Sequence, residues 1–329
     1  MMTSAMTEFD ISDFEMTRAP IHQASMPPPY FFTSEEIFRL ELEQIFFKEW
    51  LCVGRVEQVK LAGDFFTVDV AGERVIVVRD DTGEIKALSP VCRHKSAHVA
   101  SGKGSCATFV CPYHGWTYSL GGALISARGM DSTENFDKAM YHLASFKLEV
   151  WKNFIFINFD IHAKPLAPGL EELSLLLTNY ALEELHCPKR ENYEFACNWK
   201  VWIDNAGEAY HVDLVHQASA LPDYPSDIFR TEAPRERFEV LKALPQSSST
   251  ETRLHAVQLP TIADLSEVEL TEFKSILVYP NLFLSTHPTG INYSYVLPDG
   301  ANRCKLDGGL CFPNSTLNVP DFEAIAKVQ

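Results

Sequence analysis

Two short segments pair a thiol with an imidazole: Cys92-Arg93-His94-Lys95-Ser96 and, with sixteen residues intervening after His94, Cys111-Pro112-Tyr113-His114-Gly115-Trp116. Donors of this kind fit a two-iron, two-sulfide cluster in which the cysteines hold one iron and the histidines the other. Thiolates stabilise ferric iron, while neutral imidazoles leave less negative charge on the cluster and raise its potential above that of an all-cysteine centre. The product is a one-electron carrier of moderate potential. A structural zinc ion takes the same set of two cysteines and two histidines and stands as the alternative on residue types alone. Gly115 permits a tight turn after the second histidine, and Trp116 can shield the cluster edge from water. Cys106 and His98 lie near these loops but outside the paired units, and read as a buried thiol and a surface imidazole. Arg93, Lys95 and Lys103 make a basic spot in an acidic chain, either a solvated face or a docking point for an acidic electron-donor protein.

A second constellation follows at Asn198-Trp199-Lys200, Asp204-Asn205-Ala206-Gly207-Glu208-Ala209-Tyr210-His211 and His216. At roughly 100° per residue, Asp204, Glu208 and His211 share one face of a helix expected over about 198–218. His216, five positions beyond His211, would be rotated from it by roughly 140° on an undistorted helix. Convergence of the two imidazoles on one metal therefore requires the helix to bulge or end between them. The spacing differs from His-Glu-x-x-His, which keeps both ligands on one face. Two histidines plus one carboxylate, with open positions left, is the arrangement by which non-haem Fe(II) binds and reduces dioxygen. Paired histidines in a buried hydrogen-bond network are the structural alternative. Glu208, one turn before His211, is placed to accept a hydrogen bond from an imidazole.

The elements that must position these groups are a β-rich stretch and a mixed one. Thr33 and Glu36 have capping-box spacing, and Ile37, Leu40, Ile45 and Phe46 recur near helical period, which predicts a helix from about Ser34 to Phe47. Phe66-x-Val68-x-Val70 and Val75-x-Val77 alternate as strands, and 147–151 with 154–157 reads as a hairpin. Pro165 and Pro168 break the chain before a helical stretch at 170–185, with strands expected around 274–285, 291–297 and 303–312 and a helix from 321 onward. The fold class is α+β, an antiparallel sheet with helices on it beside a β-rich unit. The divisions are 1–47, an arm and helix packing on the catalytic half; 48–160, the cluster domain; and 161–329, the mononuclear-iron domain.

Composition narrows the function. With 28 basic and 44 acidic residues the net charge is −16, which repels phosphate backbones and anionic lipid heads and sets aside nucleic-acid and membrane roles. No run approaches the ~18 apolar residues of a membrane helix, and no signal peptide opens the chain, so the default compartment is cytoplasmic. The eight cysteines read as reduced thiols or metal ligands.

Cys92-x-His94 with Cys111-Pro112-Tyr113-His114-Gly115-Trp116, followed by Asn198-Trp199-Lys200 and Tyr210-His211-x4-His216, resembles the alpha subunit of Rieske non-haem iron oxygenases, the ring-hydroxylating dioxygenase family. The likeness runs from about Met26 to the last residue. It implies an N-terminal Rieske [2Fe-2S] domain, held through Cys92, His94, Cys111 and His114, and a helix-grip catalytic domain. The catalytic domain would bind a mononuclear non-haem Fe(II) through His211 and His216. It further implies a homotrimer, in some cases with a beta subunit. There the cluster of one subunit feeds the iron of its neighbour through Glu208, with Tyr210 and Asn205 in support. A reductase, a ferredoxin or both would supply electrons from NAD(P)H to activate O2 and hydroxylate a small organic substrate. A Rieske electron-transfer protein without oxygenase activity is the rival reading.

Three positions depart from the family pattern. Lys95-Ser96 stands where Arg-Gly is usual, which bears on hydrogen bonding around the cluster. Glu208 replaces the Asp of aromatic-ring dioxygenases, as in carnitine and glycine-betaine oxygenases, and points to quaternary-ammonium or other non-ring substrates. The family's third iron ligand is an acid after a Pro-Asp-Phe-like segment. Here Pro320-Asp321-Phe322 nearly ends the chain, so the ligand is expected beyond Gln329, with Asp321 and Glu323 the only late acids. Val212, Leu214, Leu221, Tyr279, Phe283 and Tyr295 are candidate pocket walls.

Overall fold

The computed structural model describes residues 11–20, 22–70, 72–216, 224–244, 259–320 and 322. The first helix, α1 (Glu35–Glu41), is capped by Ser34, whose hydroxyl accepts from the Ile37 N–H at 3.3 Å, rather than by Thr33 as the capping-box spacing suggests. It continues as a π-helical turn, Leu42–Phe46, that buries Phe46.

Alternating apolar residues then build the antiparallel strands β1 (Leu51–Arg55), β2 (Asp64–Val70), β3 (Glu73–Arg79), β4 (Ile85–Leu88), β5 (Lys103–Ser105), β6 (Phe109–Val110), β7 (Thr117–Tyr118), β8 (Leu124–Ser126), β9 (Ser145–Trp151) and β10 (Phe154–Asn158). Seven of them form one sheet in the order β1-β10-β9-β4-β3-β2-β5, and β6-β7-β8 form a small one. The expected hairpin is β9–β10, paired from Trp151–Phe154 outward.

The second half holds α2 (Glu171–Leu176), α3 (Trp199–Ala206), α4 (Val212–Val215) and α5 (Asn314–Leu317). Its sheet of β11 (Leu185–Phe195), β12 (Phe229–Thr231), β13 (Phe238–Ala243), β14 (Phe273–Val278), β15 (Leu282–His287), β16 (Gly290–Pro298) and β17 (Cys304–Pro313) runs in the order β11-β17-β16-β15-β14-β13-β12. The mixed α+β class holds. Strand β11 was not expected: Lys189-Arg190-Glu191-Asn192 carries no apolar alternation, and the strand exists because it pairs with β17 from Lys189↔Leu310 to Phe195↔Cys304. The stretch 274–285 is two strands, parted at Tyr279-Pro280 because proline interrupts the ladder. The helix expected over 198–218 is two, α3 and α4, and the one expected from 321 lies outside the described residues.

One core joins the halves: Phe46, Trp50, Val53, Phe154, Trp199 and Tyr293 belong to a single buried cluster. A separate core of Ile76, Val78, Leu88, Phe109, Trp116 and Tyr118 underlies the two Cys-His loops. No helix among the described residues is long and apolar enough to cross a membrane.

The buried contact nearest the second constellation is ionic. Glu41 on α1 accepts from the Trp199 indole at 2.8 Å and pairs with the Lys200 ammonium, which lies 4.5 Å from the Phe31 ring. Both charges are largely out of water, with 8% and 9% of their side chains exposed. Removing one partner strands the other, a penalty of about 3–5 kcal/mol. Glu41→Ala is therefore expected to lower stability by about 3 kcal/mol in chemical denaturation, while the pair Glu41→Met and Lys200→Met together recovers most of that loss.

Candidate functional site

The two Cys-His loops are built alike. Cys92 N–H donates to the Ala97 carbonyl at 2.9 Å and Ser96 N–H to Cys92 at 3.0 Å; Cys111 N–H donates to Trp116 at 2.8 Å and Gly115 N–H to Cys111 at 3.0 Å. Each loop closes on a left-handed residue, Ser96 at φ 58° and Gly115 at φ 73°. Loss of the usual glycine in the first loop therefore leaves its backbone bonding in place. An L side chain is instead held in the left-handed region, at about 1–2 kcal/mol.

The folding brings all four expected ligands to one tip. Cys92 and Cys111 are buried, while His94 is half-buried and His114 exposed, with ring centroids 4.6 Å apart. His94 stacks on Trp116 at 4.8 Å, so this indole shields the site as its position in the sequence suggests. The His94 Nδ1 is buried without a hydrogen-bond partner among the described residues. A buried ring nitrogen with no donor or acceptor beside two buried thiols is what a metal ligand looks like, and the donor set fits a [2Fe-2S] cluster. Cys106 and His98 stand aside, the latter exposed and 3.4 Å from an Arg74 nitrogen.

Tyr118 is a functional residue the motif does not contain. Its hydroxyl accepts from the Arg93 N–H at 3.0 Å and lies 3.3 Å from the Cys92 sulfur, so its own proton is directed at that sulfur. Burial and the bond to Cys92 hold the phenol protonated, far above its usual range. Its only trace in the sequence is its place two residues after Trp116, at the end of the short strand β7.

The second constellation is assembled by a break in the chain. Helix α3 starts on Asn198, whose side chain accepts from Lys200 N–H at 3.0 Å, and stops at Gly207. A Cβ at Gly207 would lie 3.2 Å from the Ile203 carbonyl and 3.5 Å from Glu239, so glycine suits the exit. Asp204, Glu208 and His211 thus do not share one continuous helical face. His211 and His216 flank the single turn α4, which ends between them as convergence requires, and their rings lie 5.3 Å apart. Asp213 ties this turn down by accepting from the Ser226 N–H at 2.8 Å and hydroxyl at 2.6 Å, while Ala209 and Val212 pack on Leu241.

Glu208 accepts from the His211 Nδ1, from Tyr210 N–H and from His211 N–H at 3.3 Å. A carboxylate at Nδ1 fixes the ring proton there and leaves the Nε2 lone pair for a metal. The Glu208 side chain is 42% exposed and Tyr210 90% exposed. Asn205 is exposed at the end of α3 and hydrogen-bonds to neither histidine among the described residues. Burial raises the Asp204 carboxyl above its usual range, against the pull of Lys200. Asp321 and Glu323 lie outside the described residues, among which no third His, Cys, Asp or Glu joins the pair.

Beneath Gly207, a small cavity is lined by Thr231, Glu239, Leu241, Ser275, Leu277 and Phe283. Of the candidate pocket walls, Phe283 lines it and Val212 packs on its Leu241, whereas Tyr279 donates to Glu239 at 3.0 Å but lines a separate cleft with Trp199, Ile203 and Pro280. Leu214 instead faces solvent at 79% exposure, and Tyr295 is buried at the contact between the halves, donating to the Val53 carbonyl at 3.0 Å. Leu221 lies outside the described residues.

Residues 49–146 match the Rieske [2Fe-2S] domain, and residues 182–328 match the catalytic domain of the ring-hydroxylating alpha subunit. The chain belongs to the Rieske oxygenase alpha-subunit family. This family's chains combine a [2Fe-2S] cluster with a mononuclear iron in the catalytic domain. Chloroplastic choline monooxygenase of Beta vulgaris is 30% identical over 296 residues, covering 87% of this chain and 62% of that protein. The carnitine monooxygenase oxygenase subunit of Acinetobacter pittii is 34% identical over 196 residues, covering 59% and 53%. The chain thus spans between half and two thirds of the length of these relatives. Among solved structures, a quaternary ammonium Rieske monooxygenase in complex with L-carnitine superposes with a TM-score of 0.76 at 26% identity, covering 91% of this chain and 78% of the other. Naphthalene 1,2-dioxygenase from Rhodococcus sp. shares the fold, with a TM-score of 0.73 at 23% identity, covering 92% and 76%.

Hydrogen bonds to the sulfurs of an iron-sulfur centre raise its potential. If the Tyr118 bond is worth about 1 kcal/mol more in the reduced state, its loss lowers a one-electron potential by roughly 40 mV. Tyr118→Phe is expected to keep the cluster and show that drop in a redox titration followed by EPR.

Proposed function

We propose that this chain is the terminal oxygenase component of a multi-component monooxygenase. It would take electrons through Cys92, His94, Cys111 and His114, and hydroxylate a quaternary-ammonium compound beside an iron held by His211 and His216. The observation that carries this reading is the second imidazole pair, with Glu208 on the Nδ1 of His211: a pure electron carrier has no use for it. A non-haem Fe(II) with two histidines and a carboxylate supplies the capacity to bind and activate dioxygen. The protein's own part is to hold both imidazoles on one short turn, keep the His211 proton on Nδ1 and exclude bulk water with Ala209, Val212 and Leu241.

The working divisions are 1–47 as arm and packing helix, 48–160 as cluster domain and 161–329 as iron domain. Glu208 bridges to the cluster of a neighbouring copy in a homotrimer. Two exposed apolar patches support that assembly: Tyr210, Leu214 and Val215 around the iron turn, and Val110 and Tyr113 at the cluster tip. Tyr210 and Asn205 border this contact. The exposed Arg93, Lys95 and Lys103 suit an acidic ferredoxin or reductase as donor. The substrate class follows the names of the relatives, choline and carnitine monooxygenases, and the glutamate at the bridge. The work takes place in an aqueous compartment, cytoplasm or plastid; the beet relative is chloroplastic.

Anaerobic Fe(II) titration of cluster-loaded protein should reveal one iron beyond the cluster, and choline, carnitine or glycine betaine should stimulate oxygen uptake with a reductase. Binding of no further iron would leave the electron-transfer reading, and stimulation by naphthalene alone would overturn the substrate class. For the bridge, Glu208→Gln should leave the cluster reducible while slowing substrate-dependent oxygen uptake about a hundredfold; unchanged turnover removes the assignment.

A further inference from the structure

Away from both metal centres, the bulge in β11 places two thiols face to face. His186 pairs with Phe312 and Lys189 with Leu310, so Cys187 in the bulge stands opposite Cys311 on β17. With Pro188, Cys187 faces the single residue Cys311, and the two thiols are near enough that each shifts the other's proton affinity. The Cys187 sulfur lies over Gly309, where a Cβ would approach it to 2.6 Å, so glycine is what leaves the sulfur its place.

The surroundings are polar and poorly satisfied. Arg55 reaches in from β1, fully buried, with one guanidinium nitrogen bonded to Glu57 at 2.7 Å and to the Leu185 carbonyl at 2.9 Å. Its other terminal nitrogen and the Tyr293 hydroxyl are buried there without hydrogen-bond partners among the described residues. Cys311 is wholly buried, whereas Cys187 is half-buried and borders the cleft between the two halves with Val53, Gln58, Pro188 and Arg190. The Cys187 thiol donates to the Lys189 carbonyl at 3.2 Å, and its N–H donates to Glu57 at 3.2 Å. The neighbouring Cys311 thiol first, then Tyr293 and, against Glu57, Arg55 pull the Cys187 thiol below its ordinary range despite burial, while burial pushes Cys311 up. A half-accessible thiol set between the Arg55–Glu57 pair and a second, protonated thiol is the arrangement of a peroxide-sensitive pair.

We propose that Cys187 and Cys311 are a reversible oxidation site for hydrogen peroxide, Cys187 being the attacking thiol and Cys311 the resolving one. The Cys187 thiolate attacks one peroxide oxygen, the O–O bond breaks, and with one proton the products are Cys187 sulfenic acid and water. The Cys311 thiol then displaces that hydroxyl, releasing a second water and leaving the disulfide. The two thiols lose two electrons and two protons in all, and peroxide is reduced to two waters.

The fold contains its own control. Cys197 and Cys304, at the other end of the same strand pair, have sulfurs 3.9 Å apart. No cation stands among the causes that move Cys304, whose thiol burial pushes up. The inference is independent of the oxygenase reading, because the oxidant is added.

Reduced, metal-loaded protein is exposed to a low dose of hydrogen peroxide, quenched, alkylated with iodoacetamide in denaturant and mapped without reductant. A Cys187–Cys311 linked peptide should form and disappear with dithiothreitol, while Cys197 and Cys304 stay alkylated or link roughly tenfold more slowly. In Cys311→Ser, dimedone should trap Cys187 as sulfenic acid; in Cys187→Ser, Cys311 should stay alkylated. The proposal fails if Cys187 remains alkylated at a dose that oxidises glutathione, if Cys197 and Cys304 link as fast, or if Cys311 oxidises equally in Cys187→Ser.

Discussion

Strand β1 belongs to the cluster-bearing sheet, yet its backbone is also held by the iron-bearing half. The Asn281 side chain accepts from the Cys52 N–H and donates to the Cys52 carbonyl, both at 2.9 Å, and Tyr295 donates to Val53. An amide that satisfies both polar groups of one buried residue acts as an extra rung of sheet. Arg55 at the end of the strand donates to the Leu185 carbonyl, and its ion-pair partner Glu57 accepts from the Cys187 N–H at 3.2 Å. Because these groups are buried, parting the halves would leave several polar atoms unpaired at ~1–3 kcal/mol each. The two metal-binding units are therefore fixed in relation to one another.

The cluster tip shows how different sequences reach one backbone. Both loops close six residues, 92–97 and 111–116, with the same pair of hydrogen bonds, although one carries serine and the other glycine at the left-handed position. Burial divides the ligands by type: the thiols sit in the small core with Trp116 and Tyr118, and the imidazoles face outward. The sulfurs are thus shielded from water and one of them meets the Tyr118 hydroxyl, while the imidazole edge is open.

At the second site the protein uses a short turn rather than a long helix. Ending α3 at Gly207 frees Glu208 to fold back on Tyr210 and His211, so one carboxylate caps two backbone donors and orients one imidazole. The turn is then held from below by Ala209, Val212 and Leu241 and from the side by Asp213 and Ser226. The outer surface of that turn, with Tyr210, Leu214 and Val215, is apolar and open. Chemistry and contact surface are set by the same few residues.

The two Cys-His loops were legible because thiol and imidazole at close spacing are a local signature in residue type. The β-rich character of 64–79 and 145–158 was legible for the same reason, since alternation is a short-range pattern. Tyr118, Asp213 and Asn281 were not, because each acts on a group distant in sequence: Cys92, Ser226 and Cys52. Strand β11 was hidden because its polar residues owe their extended state to β17, over a hundred positions away. Periodicity placed Asp204, Glu208 and His211 on one helix, but the break at Gly207 and the packing of Val212 on Leu241 placed His211 beside His216 instead. Residue types thus determined which donor groups the chain offers to a metal. Tertiary contacts decided the geometry, because burial, pairing and the end of a helix depend on what lies opposite.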